Sequence, residues 1–159
     1  MAKEAHLTTH TWLQRIDELV SDDFLFPLER VNLGIGTDIE SINRFRTEFK
    51  GRVDQSLRRI FTNDELEYCF SYQDYAPHLA ARYCAKEAMT KALTSIGIGN
   101  LNFREIEVHS GKKNAPEVRI RREGFPALRS FLSLSHCEDK ALAFVVVFTQ
   151  NPYRPERDK

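Results

Sequence analysis

The stretch "PHLAARYCAKEAMTKALTSIG" at 77–97 runs from Pro77 to the edge of Gly97 with no internal glycine or proline. It is built of strong helix formers, and proline suits a first helical turn. A helix this long needs a partner surface, and the sequence that follows supplies one. After Gly99 the apolar period drops to two: "FREIEVH" at 103–109, "EVRI" at 117–120, "FLSLSH" at 131–136 and "ALAFVVVF" at 141–148 read as strands. "SGKKNAP" joins the first two and "CEDK" closes the last two as a tight hairpin. A long helix followed by neighbouring strands on short turns defines an α+β class, a mostly antiparallel sheet packed on a long helix.

Upstream, Val31, Leu33 and Ile35 alternate as a half-buried strand would, and Asp38 and Glu40 continue the same spacing through "GIGTDIE". Two carboxylates on one face repel unless a cation lies between them, so either the chain turns at Gly36 or the pair awaits a cation. Mixed helical patterns follow at 41–50 and 53–60, and Thr62 with Glu65 three residues on forms a capping box that starts a further helix. Residues 7–20 have helical spacing too, so 1–30 reads as an extension with a short helix, 31–150 as one domain and 151–159 as a polar tail.

Lys plus Arg and Asp plus Glu both total 23, so overall charge points to neither nucleic acid nor membrane. The longest apolar run is far short of a membrane span. Cys69, Cys84 and Cys137 show no CxxC spacing, which speaks against a disulfide framework or a zinc site and for a reducing cytosol. One local charge stands out. Residues 44–59 hold six basic side chains against Glu48 and Asp54, a surface suited to an acidic partner.

Within "ARYCAKEAMTKAL", Arg82 and Lys86 are four apart, as are Tyr83, Glu87 and Lys91. Glu87 and Lys91 at this spacing form either a surface ion pair or part of a site where a carboxylate holds a metal and cations neutralise phosphate. Cys84 reads as core packing, and Glu105, Glu107, His109 and Lys112 as solvated.

"GIGTDIE", "FTNDELEYC", "LAARYCAKEAMTKALTSIGIG", "EIEVHSGKKNAPEV" and "LSLSHCEDKALAFVVV", in that order from about residue 31 to 148, resemble the 4′-phosphopantetheinyl transferases, most closely their short holo-acyl-carrier-protein synthase type. The resemblance implies transfer of phosphopantetheine from coenzyme A to a serine of an acidic acyl carrier protein, releasing 3′,5′-ADP, in the service of fatty acid biosynthesis. It puts a Mg²⁺ on Asp38 and Glu87, and Lys91 at the phosphates with a share in proton movement. Arg82 and Lys86 are implied near the phosphates, and Ser133, Ser135 and His136 form the "SxSH" motif, with Ser135 and His136 at the nucleotide and His136 an alternative base. Arg44, with Phe45 and Arg52, falls on the carrier-docking helix. Glu40 is either a third metal ligand, as in larger members with a DxE pair, or a cap of the next helix. Short members assemble as homotrimers with sites between subunits. Two departures stand out: the strand motif appears as Phe103-Arg104-Glu105-Ile106-Glu107-Val108, and a Gly-Lys-Pro turn is expanded to "GKKNAP". The rivals are a transferase for polyketide or other secondary-metabolism carriers, and a non-catalytic module binding an acidic protein or RNA through the basic helix.

Overall fold

A computed structural model describes residues 32–99, 101–111 and 115–149. The helix expected at 7–20, the 1–30 extension, Lys112 and the 151–159 tail lie outside the described residues. The elements run β1 (Asn32–Ser41), α1 (Ile42–Phe49), α2 (Gln55–Ile60), α3 (Asn63–Phe70), α4 (Ala76–Ser95), β2 (Ile106–Ser110), β3 (Pro116–Ile120), β4 (Arg129–His136) and β5 (Lys140–Thr149). β1, β5 and β4 form an antiparallel sheet in that order, and β2 pairs with β3 in a separate antiparallel ribbon. Among the described residues no helix is long and apolar enough to cross a membrane.

The core lies between α4 and one face of the three-stranded sheet. Ala80, Ala85, Ala88 and Ala92 are fully buried on the helix, opposite Ala141, Ala143, Val145 and Val147 on β5. Such small side chains let the helix sink onto the sheet, and β1 takes this furthest. A Cβ built on Gly34 would lie 2.1 Å from the Ala92 carbonyl oxygen, and one on Gly36 1.9 Å from that of Ala88. The strand therefore touches the helix backbone directly.

The chain does not turn at Gly36: β1 stays extended through Asp38 and Glu40 to Ser41. Its faces are the reverse of a half-buried apolar strand. Gly34 and Gly36 are buried and Asp38 and Glu40 half-buried on the helix side, while Leu33, Ile35 and Ile39 are 51–60% exposed on the other. Register carries this outer face across the sheet: Ile35 stands opposite Val146 and Ile39 opposite Leu142, and Phe131 and Ser135 on β4 flank the same two β5 residues.

The capping box forms at α3, where Thr62 Oγ1 accepts from the Glu65 N–H at 3.3 Å and Glu65 Oε2 accepts from the Thr62 N–H at 2.8 Å. Residues 103–105, read as the start of a strand, are a 3₁₀ turn instead, because Glu105 folds back to accept from the Asn102 N–H at 2.7 Å. Nor are the neighbouring acids solvated. Glu107 is buried, accepting from Thr62 Oγ1 at 3.2 Å and from Arg121 at 2.7 Å, and Glu105 is clasped by Arg122 at 2.7–2.8 Å.

Candidate active site

Because β1 and α4 touch, the inner-face acids of the strand stand beside the helix's charged flank. Lys91 Nζ donates to Asp38 Oδ1 at 2.9 Å and to the Thr37 carbonyl at 3.1 Å. Hydrogen bonding to Asp38 holds the Lys91 ammonium above the usual lysine range, and Glu87 adds to this. Lys91 remains about half exposed, able to turn toward an incoming anion. The other oxygen, Asp38 Oδ2, is buried without a hydrogen-bond partner. Glu87, one helical turn before Lys91, accepts from the Tyr83 hydroxyl at 3.2 Å.

These are hard oxygen donors around a single lysine, the donor type that Mg²⁺ takes while keeping several of its waters. A buried carboxylate oxygen with no partner is costly unless something fills its lone pairs. Asp38 Oδ2 is such an atom, so the residues present fit a divalent cation shared with a polyphosphate. Among the described residues no group of three or more His, Cys, Asp or Glu side chains could hold a metal by itself.

Glu40 is engaged elsewhere. Its Oε1 accepts from Arg44 at 2.9 Å and its Oε2 from the Ser41 N–H at 3.3 Å, which ties it to the first turn of α1. Neither bond reaches a backbone N–H of the helix itself, and α1 begins without a side-chain cap. Cys84 lies beneath the acids, buried, with burial and then the Asp38 charge pushing its thiol up to about 12.

Two residues expected at partner surfaces are in the interior. Lys86, assigned to the phosphates, is completely buried; its ammonium donates to Glu65 Oε2 at 2.9 Å, to the Phe103 carbonyl at 2.9 Å and to the Ile106 carbonyl. All three N–H donors are thus used, and Lys86 cements α3, α4 and β2 instead of meeting a ligand. Phe45, assigned to carrier docking, is 1% exposed, with its ring 5.7 Å from that of Tyr83. Arg44 and Arg52 are exposed.

Arg82 is largely buried, its guanidinium carbon 3.9 Å from the Tyr68 ring centroid, and its Nε has no hydrogen-bond partner. It neighbours His78, whose imidazole is held below the usual histidine range by burial, then by Arg82 and His136. Arg82, His78 and His136 therefore lie close together at the start of α4. His136 follows the helix-side alternation of β4, opposite buried Ala141, whereas Ser133 and Ser135 lie on the outer face with Phe144 and Leu142. The "SxSH" motif is thus split across the sheet, and Ser135 and Asp38 of one chain face opposite ways.

An α+β fold with an acid on β1, a Lys-Glu pair on the long helix and a Ser-Ser-His strand end defines a class. The chain belongs to the 4′-phosphopantetheinyl transferase superfamily, whose family model matches residues 34–145. Within that class, its similarity is to holo-[acyl-carrier-protein] synthases. That of Chlamydia muridarum is 41% identical over 122 residues, covering 74% of this chain and 96% of that protein. That of Thermodesulfovibrio yellowstonii is 38% identical over 114 residues, covering 72% and 96%. The crystal structure of a Bacillus anthracis holo-(acyl-carrier-protein) synthase in complex with CoA (3′,5′-ADP) superposes with a TM-score of 0.60 at 29% identity, covering 73% of this chain and 96% of that one.

Proposed function

We propose that this chain transfers 4′-phosphopantetheine from coenzyme A to a serine hydroxyl of an apo acyl carrier protein, leaving 3′,5′-ADP, with Mg²⁺ held by Asp38 and Glu87. The observation that carries the reading is the unpartnered, buried Asp38 Oδ2 beside the Lys91–Glu87 flank of α4. When bound, the ion supplies charge neutralisation at the pyrophosphate. Phosphoryl transfer of this kind depends mainly on positioning and electrostatics. Lys91 keeps its proton, anchors Asp38 and offers its exposed ammonium to phosphate oxygens. Arg82 and His136, close together at the start of α4, are taken from the family resemblance as the groups near the coenzyme's phosphates and nucleotide. The Glu87 carboxylate is the acceptor this chain offers for the serine proton.

The working unit is an assembly of copies, taken as three from the family resemblance. Leu33, Ile35, Ile39, Phe131, Leu142 and Phe144 make an outer sheet face of large apolar side chains that are each 39–60% exposed. An exposed apolar patch of this size marks an interaction surface. Ser135 lies within that face while Asp38 lies behind it, so a second copy on the face brings its own groups to a shared site. The acidic carrier docks on exposed Arg44 and Arg52, and the enzyme works in the cytoplasm on fatty acid biosynthesis.

The test is incubation with coenzyme A, Mg²⁺ and an apo carrier protein, read by intact mass. The expected result is a gain of one phosphopantetheine that is abolished by Glu87→Gln and by chelation of Mg²⁺. No gain with any of several carriers would overturn the reading.

A further inference from the structure

Tyr83 stands between the carrier-facing helix and Glu87. It lies one turn before Glu87 on α4, and its hydroxyl donates to Glu87 Oε1 at 3.2 Å. Its ring is fixed edge-on by Phe45 at 5.7 Å and Phe103 at 5.4 Å, so the hydroxyl has little freedom to look elsewhere. The Arg44 guanidinium carbon lies 5.3 Å from the centroid of the same ring, and Arg44 also interacts with the phenol group itself. Arg44 in turn holds Glu40 at 2.9 Å and Glu48 at 3.4 Å. A continuous line of contacts therefore runs from half-buried Glu40 on β1 and exposed Glu48 and Arg44 on α1, through one phenol, to a carboxylate beside Lys91.

A tyrosine hydroxyl has one proton to donate and lone pairs to accept with. Here the proton goes to the carboxylate, and the Arg44 cation beside the phenol polarises it as a donor. We propose that Tyr83 is a positioning residue that orients the Glu87 carboxylate for the metal and couples it to Arg44, so that carrier docking and metal holding influence each other. The proposal rests on the functional reading above. An acidic carrier group that engages Arg44 must compete with Glu40 and Glu48, and any shift of the guanidinium alters what the phenol feels. By thermodynamic reciprocity, a carrier that changes metal affinity by some factor has its own affinity changed by that factor when the metal binds.

The experiment uses the full chain and Mn²⁺ as the probe, titrated with coenzyme A present and no carrier, so that nothing turns over. The proteins are wild type, Tyr83→Phe, Arg44→Ala and the double variant. Groups that orient metal ligands typically change metal affinity 10- to 100-fold when removed, and a 3.2 Å contact belongs at the low end. Tyr83→Phe, which keeps the packed ring, is expected to weaken Mn²⁺ binding about tenfold with its melting temperature unchanged. Arg44→Ala is expected to weaken Mn²⁺ binding in the Tyr83 background and not in the Phe background, a non-additivity that a purely structural role would not produce. Equal Mn²⁺ affinity in wild type and Tyr83→Phe, or an Arg44→Ala effect of the same size in both backgrounds, overturns the coupling. In either case a wild type that still binds Mn²⁺ and modifies a carrier leaves the transferase reading standing. A wild type that binds no Mn²⁺ in the presence of coenzyme A overturns both.

Discussion

Gly36→Ala is the sharpest test of how this fold places its acids. The substitution adds a single methyl group, and the glycine backbone is not in the left-handed region, so alanine meets no conformational penalty there. In open space it would stabilise by about 0.4–1 kcal/mol through the unfolded chain. Yet the new Cβ would lie 1.9 Å from the Ala88 oxygen, 2.8 Å from the Ala92 nitrogen and 2.9 Å from the Ala88 carbonyl carbon. All three are backbone atoms of a well-packed helix, so no rotamer change relieves the clash. Restoring a contact of ~3.4 Å requires β1 and α4 to part by about 1.5 Å. Overpacking of this kind costs about 1–3 kcal/mol, and the rigidity of the obstructing atoms argues for the upper end, about 2 kcal/mol net. At roughly 4 °C per kcal/mol for a domain of this size, calorimetry should show a melting temperature about 8 °C lower. Transfer should fall further than stability explains, because Asp38 and Glu87 ride on the two parting elements. Displacing reacting groups by about 1 Å costs on the order of 100-fold in rate. Gly99→Ala is the control, since a Cβ there meets nothing within 4 Å. A Gly36→Ala protein that melts within 2 °C of wild type (a change of about 0.5 kcal/mol) and keeps its rate would refute the reasoning.

Lys86→Met strands Glu65 as a buried charge and should cost about 3–5 kcal/mol in a denaturant titration. Adding Glu65→Gln should recover at least half of it, and a loss below ~1 kcal/mol would show that the pair matters little. With Cys69 and Cys84 buried and both pushed up to about 12, only Cys137 should react with a disulfide reagent between pH 7 and 9 in the native state, and all three in denaturant. Native release of three thiols would contradict that burial. Phe144→Asp puts a charge on the outer sheet face and should yield single chains by light scattering, with transfer lost and the fold retained; an unchanged assembly would remove that face from the interface.

Much of this was legible in the residues. The capping box at Thr62 and the unbroken run after Pro77 declare themselves locally, because each is decided by neighbours within a turn. Asp38 and Glu40 also share a face, as their spacing requires. What the sequence hid depends on partners far along the chain. Leu33 and Ile35 look like the buried side of β1, but the alanine-lined helix admits only a strand without side chains, so the glycines go inward. Lys86 looks like a ligand-binding cation until Glu65, twenty-one residues earlier, is seen to meet it in the interior. Phe45 lies among charged neighbours, yet it faces Tyr83 across the α1–α4 seam. Tyr83 itself had a signal, its four-residue offset from Glu87, but spacing alone does not say which way a phenol points.

The division of Asp38 and Ser135 between the two faces of one sheet has a genetic consequence. In an assembly whose sites each draw one face from one copy and the other face from its neighbour, damage is not inherited by the copy but by the junction. A chain dead at Asp38 and a chain dead at Ser135, made together, form some junctions with both lesions and some with neither. Two null alleles of this kind should complement each other, whereas two nulls on the same face should not.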